Sequence, residues 1–396
     1  MHALPANQPG SGPADRAGAL RARLAGHHSP SGVWRFGELV LPTAVDIAVS
    51  HPEGNTPLLE RTVLSAWCGV PGLRLKHEGH NPTGSFKDRG MTVGMTQAKR
   101  IGATAVACAS TGNTSASLAA YAAHAGIPAL AIVPDGQVTI GKLSQTLAYG
   151  ARTLLVDGDF DDCLRLMEQV SAELGVYLLN SINPFRIEGQ KTIVFELLLQ
   201  LAWSAPDWIV FPAGNLGNTA AFGKALREAH ALGLIARVPR LLAVQAAGAA
   251  PFARSFAGGF ATRERVHAET VASAIRIGDP ASWDRAVRSI EETNGVVTAV
   301  SDEEILDAKA VVDASGVGCE PASAASVAGV RQMVARGVIG ASEHVVAVLT
   351  GHLLKDPEAV TEYHIAPLPG SGAGAHPRNA PVEIAGRLEE VAKFIR

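Results

Sequence analysis

Short apolar runs alternate with segments of helical periodicity along most of the chain. Seven runs are predicted as strands: Ala105–Ala109, Pro128–Val133, Thr153–Val156, Val176–Leu179, Ile209–Pro212, Leu241–Gln245 and His344–Leu349. Most are unbroken apolar runs, as expected for strands that are covered on both faces. The segments predicted as helices lie between them: Thr114–His124, Gly141–Tyr149, Asp161–Leu174, Glu188–Trp203, Asn218–Ala231, Asp302–Ala314 and Pro321–Arg336. This order predicts an α/β protein with mainly parallel sheets and crossover helices.

The two ends of the chain have a different pattern. Residues 1–28 are rich in Pro, Gly, Ala and Ser, which predicts a flexible N-terminal arm. Residues 367–381 are rich in Gly, Ser and Pro, which predicts a linker. Apolar residues then recur at helical spacing, at Ile384, Leu388, Val391 and Ile395. Residues 367–396 are therefore expected to form a linker and a docked amphipathic helix.

Composition narrows the possible classes of function. A chain of 396 residues suggests two or three domains. A content of 47% hydrophobic and 18% charged residues suits a soluble protein with a large core. The net charge of −3 argues against nucleic-acid binding. No apolar stretch is long enough to span a membrane, and the N-terminus has no signal-peptide pattern, so a cytoplasmic protein is expected. The four cysteines form no C-x-x-C pair, which predicts reduced, buried thiols and no metal site.

Candidate chemistry is expected in the loops that follow the strands, because ligands of such sheets bind beyond the carboxyl ends of the strands. In residues 80–90, Pro82 and Gly84 predict a turn, and Lys87 follows at the start of a helical stretch. Lysine is the residue type that forms Schiff bases with carbonyl cofactors. The alternative for Lys87 is an ordinary helix lysine that faces solvent.

Three further loops carry small polar residues. Residues 110–114, Ser-Thr-Gly-Asn-Thr, suit a carboxylate at a helix N-terminus, although an ordinary N-cap explains them equally well. Residues 213–219, Ala-Gly-Asn-Leu-Gly-Asn-Thr, are typical of a phosphate-binding loop, with a tight turn as the alternative. Because that loop has no lysine of the Walker type, nucleoside triphosphate binding is not expected. Residues 350–352, Thr-Gly-His, end a strand, and a simple turn is their alternative.

Together these segments resemble the fold-type II pyridoxal-phosphate enzymes of the tryptophan synthase β-like superfamily and, within them, the threonine synthases. The resemblance covers the chain from Trp34 to about Pro381. It includes the blocks NPTGSFKDRG, STGNT, PAGNLGN and CEPASAASVAG, as well as NSINPFRIEGQKT from Asn180 and AIRIGDPASW up to Trp283. The resemblance implies two three-layer α/β/α domains with the cofactor in the cleft between them. It also implies a large cofactor-binding domain of residues 29–97 and 183–366, a small domain of residues 98–182, and a homodimer.

The resemblance also implies the residues that bind pyridoxal 5'-phosphate. Lys87 is similar to the lysine that forms the Schiff base and moves protons, and Phe86 to the residue packed beside the ring. Asn113 is similar to the partner of the phenolic oxygen, and Thr350 to the partner of the ring nitrogen. The loop that resembles the cofactor-phosphate site consists of Gly214, Asn215, Leu216, Gly217 and Asn218.

The implied substrate is O-phosphohomoserine. Its α-carboxylate is expected at Thr111, Gly112 and Thr114, and its phosphate at Ser110, Asn180, Ser181 and Arg186. The implied reaction is γ-elimination of phosphate followed by addition of water at the β-carbon, which gives threonine. One alternative keeps the cofactor but changes the substrate, as in a serine or threonine dehydratase-type elimination. A second alternative is a non-catalytic, regulatory relative, which would be expected to have lost the lysine or the phosphate loop.

One position departs from the family's pattern. The family usually has Gly-His-Gly-Leu-Lys-Asp-Pro near its end, whereas this chain has Leu353 at the third position. If the glycine of the family adopts a positive φ, leucine would be strained there, and the placement of Thr350 would change.

Overall fold

The computed structural model describes residues 13–110, 112–135, 140–158, 160–365 and 379–394. These residues form ten strands: β1 (Leu58–Glu60), β2 (Arg74–His77), β3 (Val106–Ala109), β4 (Ala129–Pro134), β5 (Arg152–Val156), β6 (Tyr177–Leu178), β7 (Trp208–Pro212), β8 (Arg240–Ala246), β9 (Val296–Val300) and β10 (Val345–Leu349). The α-helices of the described residues are α1 (Pro13–Gly26), α2 (Gly37–Val40), α3 (Thr62–Cys68), α4 (Lys87–Arg100), α5 (Asn113–Ala125), α6 (Ile140–Ala148), α7 (Phe160–Leu174), α8 (Pro184–Gln190), α9 (Thr192–Gln200), α10 (Gly217–Ala231), α11 (Pro251–Ala257), α12 (Trp283–Glu292), α13 (Asp302–Ala314), α14 (Pro321–Ala335), α15 (Pro357–His364) and α16 (Leu388–Ala392).

The strands form two sheets. The larger sheet has six strands in the order β1-β2-β10-β7-β8-β9, and every pair is parallel except β1 with β2. The smaller sheet has four parallel strands in the order β5-β4-β3-β6. In the larger sheet, β10 lies between β2 and β7 and joins the early part of the chain to the later part. The predicted α/β class with mainly parallel sheets is confirmed.

Both sheets are covered on both faces. In β7, Ile209 and Phe211 pack in one buried cluster, whereas Trp208 and Val210 pack in another on the opposite face. The same alternation divides the buried residues of β3 between two clusters. Because successive side chains of a strand point to opposite faces, each sheet is the middle layer of an α/β/α sandwich.

The N-terminal segment differs from the expected flexible arm of residues 1–28. Residues 1–12 lie outside the described residues, but α1 is a helix whose Ala17, Leu20 and Leu24 are buried. These residues recur at intervals of three and four, so they form one apolar face, and Leu20 and Leu24 of this face pack in the main core. The prediction of a flexible arm is therefore wrong for α1.

The C-terminal prediction is wrong in the opposite sense. The expected linker of residues 367–381 lies mostly outside the described residues, as does Ile395. The helix that follows is the five-residue α16, and its Leu388 is 80% exposed. Ile384 and Val391 are exposed as well. In the described part of this segment, helical spacing therefore produced no docked amphipathic helix. Within the described ranges, no helix combines the length and the apolar character that a membrane span requires.

Candidate active site

Loops from both sheets meet where the parallel strands end. The loops after β3 and β6 come from the small sheet, and those after β7 and β10 come from the large sheet. Asn215 Nδ2, after β7, donates to Ser181 Oγ, after β6, at 2.9 Å. The Asn215 side chain also accepts from Ala281 N–H through Oδ1, at 2.6 Å. Two of the predicted site residues, Asn215 and Ser181, are thus in direct contact.

A tight turn places Lys87 at the start of α4. Gly84 has a φ of +84°, which favours glycine, and its N–H donates to Asn81 O at 2.8 Å. Beyond the turn, the buried Asp88 carboxylate accepts hydrogen bonds from Thr83 N–H at 2.7 Å and Thr83 Oγ1 at 2.6 Å. The turn predicted from Pro82 and Gly84 is therefore confirmed.

The Lys87 loop is attached to the loop after β10 by main-chain hydrogen bonds. Phe86 N–H donates to Thr350 O at 3.0 Å, and His352 N–H donates to Gly84 O at 2.8 Å. Since these two bonds hold the main chain immediately before Lys87, the start of α4 is fixed relative to Thr350. Two predicted cofactor residues, more than two hundred positions apart, therefore belong to one rigid unit.

Lys87 has the environment of a chemically reactive amine. The residue is half-buried, and Nζ lies 4.2 Å from the centroid of the Phe86 ring. Within the part of the chain that the structure describes, Nζ has no hydrogen bond or ion pair. Burial, together with the positive charge of Arg186, lowers the pKa of Lys87 to about 7, although Glu320 acts in the opposite direction.

This lowered pKa predicts how the attachment of an aldehyde cofactor depends on pH. Only the neutral amine attacks an aldehyde, so the attachment rate of the cofactor-free protein should rise with pH and level off above about 7. The measurement is the rate of appearance of the lysine-bound absorbance after pyridoxal phosphate is mixed with the protein at several pH values. A rate that continues to rise towards the ordinary pKa of lysine would contradict this environment.

The loop after β7 has the geometry of a phosphate site. Leu216 is in the left-handed region, with a φ of +62°, and α10 begins at the next residue, Gly217. A Cβ on Gly214 would lie 3.0 Å from Ile275 Cα, so any larger residue would be crowded at this position. The first N–H groups of α10 have no partner within the helix and are available to an anion.

Buried polar atoms without partners surround this loop and test whether a phosphate fits. Among the described residues, Asn218 Oδ1, Thr219 Oγ1 and Ser282 Oγ have no hydrogen-bond partner. Ser282 is adjacent, since its N–H donates to Asn215 O at 3.3 Å. The Thr219 and Ser282 hydroxyls are donors and are costly when buried and unpaired, so their grouping at a helix start fits an anion that accepts from them, whereas Asn218 Oδ1 is an acceptor and gives no such support. Thr219 and Ser282 were not among the predicted site residues, although Thr219 ends the predicted loop.

The residues expected at the two sides of the cofactor ring are linked by a buried carboxylate. Asn113 Nδ2 donates to Glu320 Oε2 at 3.0 Å, and Thr350 Oγ1 donates to Glu320 Oε1 at 3.2 Å. Glu320 is only 3% exposed. Sequence reasoning did not select this residue, although it lies in the block CEPASAASVAG that carried part of the resemblance.

The small-sheet loops place polar groups around the start of α5. Thr111 lies outside the described residues, whereas Ser110 and Gly112 are joined, because Gly112 N–H donates to Ser110 Oγ at 3.3 Å. Thr114 is in the first turn of α5 and is buried. Asn180 Oδ1 accepts from the N–H of Ala109, the last residue of β3, at 3.1 Å. The loops after β3 and β6 are therefore held beside each other.

Arg186 is a buried guanidinium with unused donors. Its Nη1 donates to Leu179 O at 3.0 Å, but Nε and Nη2 have no partner among the described residues. The residue is 0% exposed, and burial lowers its pKa to about 10. A buried cation without an anionic partner is costly, and a ligand that supplies anionic oxygens would relieve that cost. Arg186 and Lys87 are close enough to affect each other's charge.

Leu353 causes no strain at this site. It has no positive φ and begins a short 3-10 helix, Leu353–Lys355. Its side chain instead packs at Gly318, where a Cβ would lie 3.3 Å from Leu353 Cβ. The departure from the family's pattern therefore leaves Thr350 in place. Nowhere in the described ranges do three or more His, Cys, Asp or Glu side chains form a group suited to a metal ion.

The sequence of this chain is similar to those of known proteins. Residues 49–351 match the family described as pyridoxal-phosphate dependent enzyme. The chain is 49% identical to a threonine synthase of Methanosarcina acetivorans over 332 residues, which cover 83% of this chain and 82% of that protein. It is 50% identical to a threonine synthase of Mycobacterium tuberculosis over 309 residues, which cover 77% of this chain and 83% of that protein.

Solved structures share the fold at lower sequence identity. The crystal structure of threonine synthase from Escherichia coli superposes with a TM-score of 0.70 at 20% identity, and the match covers 95% of this chain and 90% of that chain. The structure of maize serine racemase superposes with a TM-score of 0.67 at 23% identity, covering 81% of this chain and 92% of that chain. At these identities the superpositions establish the fold alone.

Proposed function

The chain belongs to the threonine synthase family of pyridoxal-phosphate dependent enzymes, and from this premise we propose which residues convert O-phospho-L-homoserine and water to L-threonine and phosphate. The observation that carries the assignment of roles is Arg186, a buried guanidinium with two unpaired nitrogens. It lies near an amine, Lys87, whose pKa is lowered to about 7. The class of activity is a carbon–oxygen lyase.

The cofactor would be held by the Lys87 amine, the loop from Gly214 to Asn218, and the side chains of Asn113 and Thr350. Phe86 would pack beside its ring. The hydroxyls of Thr219 and Ser282, unpaired among the described residues, are added to the phosphate site on the same grounds. When bound, pyridoxal phosphate supplies an aldehyde that reacts with amines and a ring that spreads the negative charge left when a carbon loses its proton.

Lys87 would hold and move the protons. With a pKa of about 7, Nζ is partly neutral at neutral pH, so it accepts a proton from the α-carbon without first having to lose one. The same Nζ, once charged, is a proton donor to the carbon skeleton. Since the main chain beside Lys87 is hydrogen-bonded to the loop after β10, the amine stays close to the cofactor site during these transfers.

The substrate would lie between the small-sheet loops and α8. We propose that the start of α5, at Gly112 and Thr114 together with Thr111, binds the α-carboxylate through N–H groups. Arg186 would bind the distal phosphate through Nε and Nη2, with Ser110, Asn180 and Ser181 as further donors. A planar guanidinium with two free nitrogens matches two phosphate oxygens, which orients the γ-carbon–oxygen bond for cleavage.

The decisive assay measures two products. The purified protein is reconstituted with pyridoxal phosphate and given O-phospho-L-homoserine, and inorganic phosphate and threonine are both quantified. Equal amounts of phosphate and threonine are expected. Phosphate accompanied by 2-oxobutyrate would instead support the alternative of a dehydratase-type elimination, and no phosphate at all would refute action on this substrate.

The phosphate role of Arg186 predicts a selective loss. In Arg186→Lys, the charge remains but the planar pair of donors is lost, so kcat/KM for O-phosphohomoserine should fall about 100-fold, as expected for lost hydrogen bonds to a charged group. Slow elimination from L-serine, which has no phosphate, should change by less than about threefold. The matched control is Arg285→Lys, an exposed arginine on α12. An equal loss of kcat/KM on both substrates would mean that Arg186 stabilises the active-site structure and does not bind the substrate phosphate.

We further propose the domain division, the oligomeric state and the location. The strands of the small sheet all fall within residues 98–182, and those of the large sheet within residues 29–97 and 183–366, which supports the predicted two-domain division. We propose a homodimer, to be tested by light scattering of the purified holoenzyme. A cytoplasmic location agrees with the four cysteines, which are buried and form no disulfide.

A further inference from the structure

Glu320 joins two proposed cofactor-binding residues, and the mechanism above gives it no task. Its two carboxylate oxygens are hydrogen-bonded to Asn113, at the start of α5, and to Thr350, at the end of β10. Asn113 belongs to the small-sheet side and Thr350 to the large-sheet side. The carboxylate is therefore hydrogen-bonded to the residues proposed to bind the two sides of the cofactor ring.

The main chain is shaped to accommodate this side chain. A Cβ on Gly351 would lie 2.4 Å from Glu320 Cδ, so only glycine leaves room for the carboxylate. Glu320 N–H donates to Gly351 O at 3.2 Å. Ser323 Oγ accepts from Gly351 N–H at 2.9 Å and lies 3.0 Å from Thr350 Oγ1. The Thr350 hydroxyl is therefore in contact with both Glu320 and Ser323.

These contacts make the position of each proton depend on the others. A hydroxyl has one proton to donate and two lone pairs that accept. If Glu320 is ionised, its carboxylate is a stronger acceptor than the Ser323 hydroxyl, so Thr350 donates its only proton to Glu320 and can then only accept from the cofactor. If Glu320 is a neutral acid, its own O–H donates to Thr350 Oγ1, and the Thr350 proton is free to point elsewhere.

The electrostatic surroundings favour the neutral acid. Burial is the main effect on the pKa of Glu320 and raises it, whereas the hydrogen bonds from Asn113 and Thr350 and the charges of Lys355 and Lys87 lower it less. Lys87, from α4, and Lys355, after β10, are the charged groups that face it. Neither forms an ion pair with Glu320 among the described residues.

We propose that Glu320 is a positioning residue: as a neutral acid it donates to Thr350, so that Thr350 donates its hydroxyl proton to the ring nitrogen of the bound cofactor. No covalent bond is made or broken. The carboxyl proton of Glu320 points to Thr350 Oγ1, and the hydroxyl proton of Thr350 points to the ring nitrogen. The inference rests on the proposed function, because it takes Thr350 as the partner of the ring nitrogen. A ring nitrogen that accepts a hydrogen bond draws less negative charge than a protonated one, so Glu320 would tune the strength of the cofactor as an electron acceptor.

Two substitutions separate the neutral acid from the anion. Glu320→Gln keeps a donor towards Thr350 and an acceptor towards Asn113, as the neutral acid does. Glu320→Leu is similar in size and keeps neither. The measurements are the visible absorption spectrum of each holoenzyme without substrate, and kcat and KM with O-phosphohomoserine. Glu292→Gln, an exposed residue paired with Arg288, is the control.

The expected result is a wild-type absorption maximum in Glu320→Gln and a shifted one in Glu320→Leu. The Leu variant should also lose at least about tenfold in kcat with KM changed less than about threefold, because the substrate-phosphate contacts are intact. A spectrum shifted as much in the Gln variant as in the Leu variant, or unchanged in both, overturns the proposal. If the Leu variant does not retain cofactor, the Gln variant decides alone: a wild-type spectrum supports the proposal and a shifted one overturns it. The spectra need no turnover, so failure to form threonine would refute the proposed function without affecting this test.

Discussion

Replacing Lys87 with alanine should abolish covalent attachment of pyridoxal phosphate and lower threonine formation by more than about 10⁴-fold, since general acid–base catalysis alone contributes up to that factor. The visible absorbance of lysine-bound cofactor should be absent, whereas the phosphate loop at the start of α10 would still bind the cofactor non-covalently. The fold should be retained, because Nζ makes no hydrogen bond or ion pair within the described residues. Absorption spectroscopy and a threonine assay measure the two effects.

The matched control is Lys99→Ala, an exposed lysine on the same helix as Lys87. It should leave both the absorbance and the activity unchanged. Reduction of the wild-type holoenzyme with borohydride, followed by peptide mapping, should place the label on Lys87. A label on another lysine, or an active Lys87→Ala variant, would remove the basis of the proposed mechanism.

Replacing Glu196 with alanine should cause the largest loss of stability. Glu196 is buried beside two cations: Oε1 lies 2.5 Å from Lys76 Nζ and 2.9 Å from Arg89 Nη2. Burial alone would raise its pKa, but Arg89 and Lys76 together hold the pKa below its usual value. Glu78 also pairs with Arg89, at 2.6 Å, so two carboxylates balance two cations. Removing one carboxylate leaves an uncompensated buried charge, which costs about 3–5 kcal/mol.

Such a loss should lower the melting temperature by roughly 4–6 °C, measured by calorimetry of the cofactor-free protein. The control is Glu173→Ala, at an exposed position of α7. This substitution should change the melting temperature by less than about 1 °C. Cofactor affinity should fall as well, because Arg89 lies on α4 two residues after Lys87. A melting temperature equal to that of the control would mean that water or a rearrangement compensates the charge.

Three described strands, β1, β2 and β9, were not predicted from the sequence, and this buried charge cluster explains why β2 was missed. β2 reads Arg-Leu-Lys-His, which has none of the apolar continuity used to predict the other strands. Lys76 is nevertheless 0% exposed, because its charge is neutralised by Glu196, far away in the chain. Such long-range pairing is not visible in a local sequence pattern. Strands such as β7 and helices such as α13 were predicted because their own residues carry the apolar run or the helical periodicity.

The parts of the candidate site that are continuous stretches of sequence could be predicted. The structure places the polar loops after β3, β6, β7 and β10 together, as parallel-sheet topology requires. Glu320 and Ser282 were missed because their importance depends on the residues they meet in space. At the ends of the chain, local spacing predicted a docked helix around Leu388 that is exposed, while composition concealed the packed helix α1.

The place of β10 in the large sheet has a consequence for how the protein is made. Within the large sheet, the antiparallel pair β1 and β2 is joined to β7 only through β10, the last of the described strands to leave the ribosome. Until β10 is synthesised, the segment that carries Lys87 has no Thr350 loop to hold it. A nascent chain that ends before β10 would therefore contain the phosphate loop but lack Thr350 and the contacts that hold the start of α4, so the cofactor site is completed only at the final stage of synthesis.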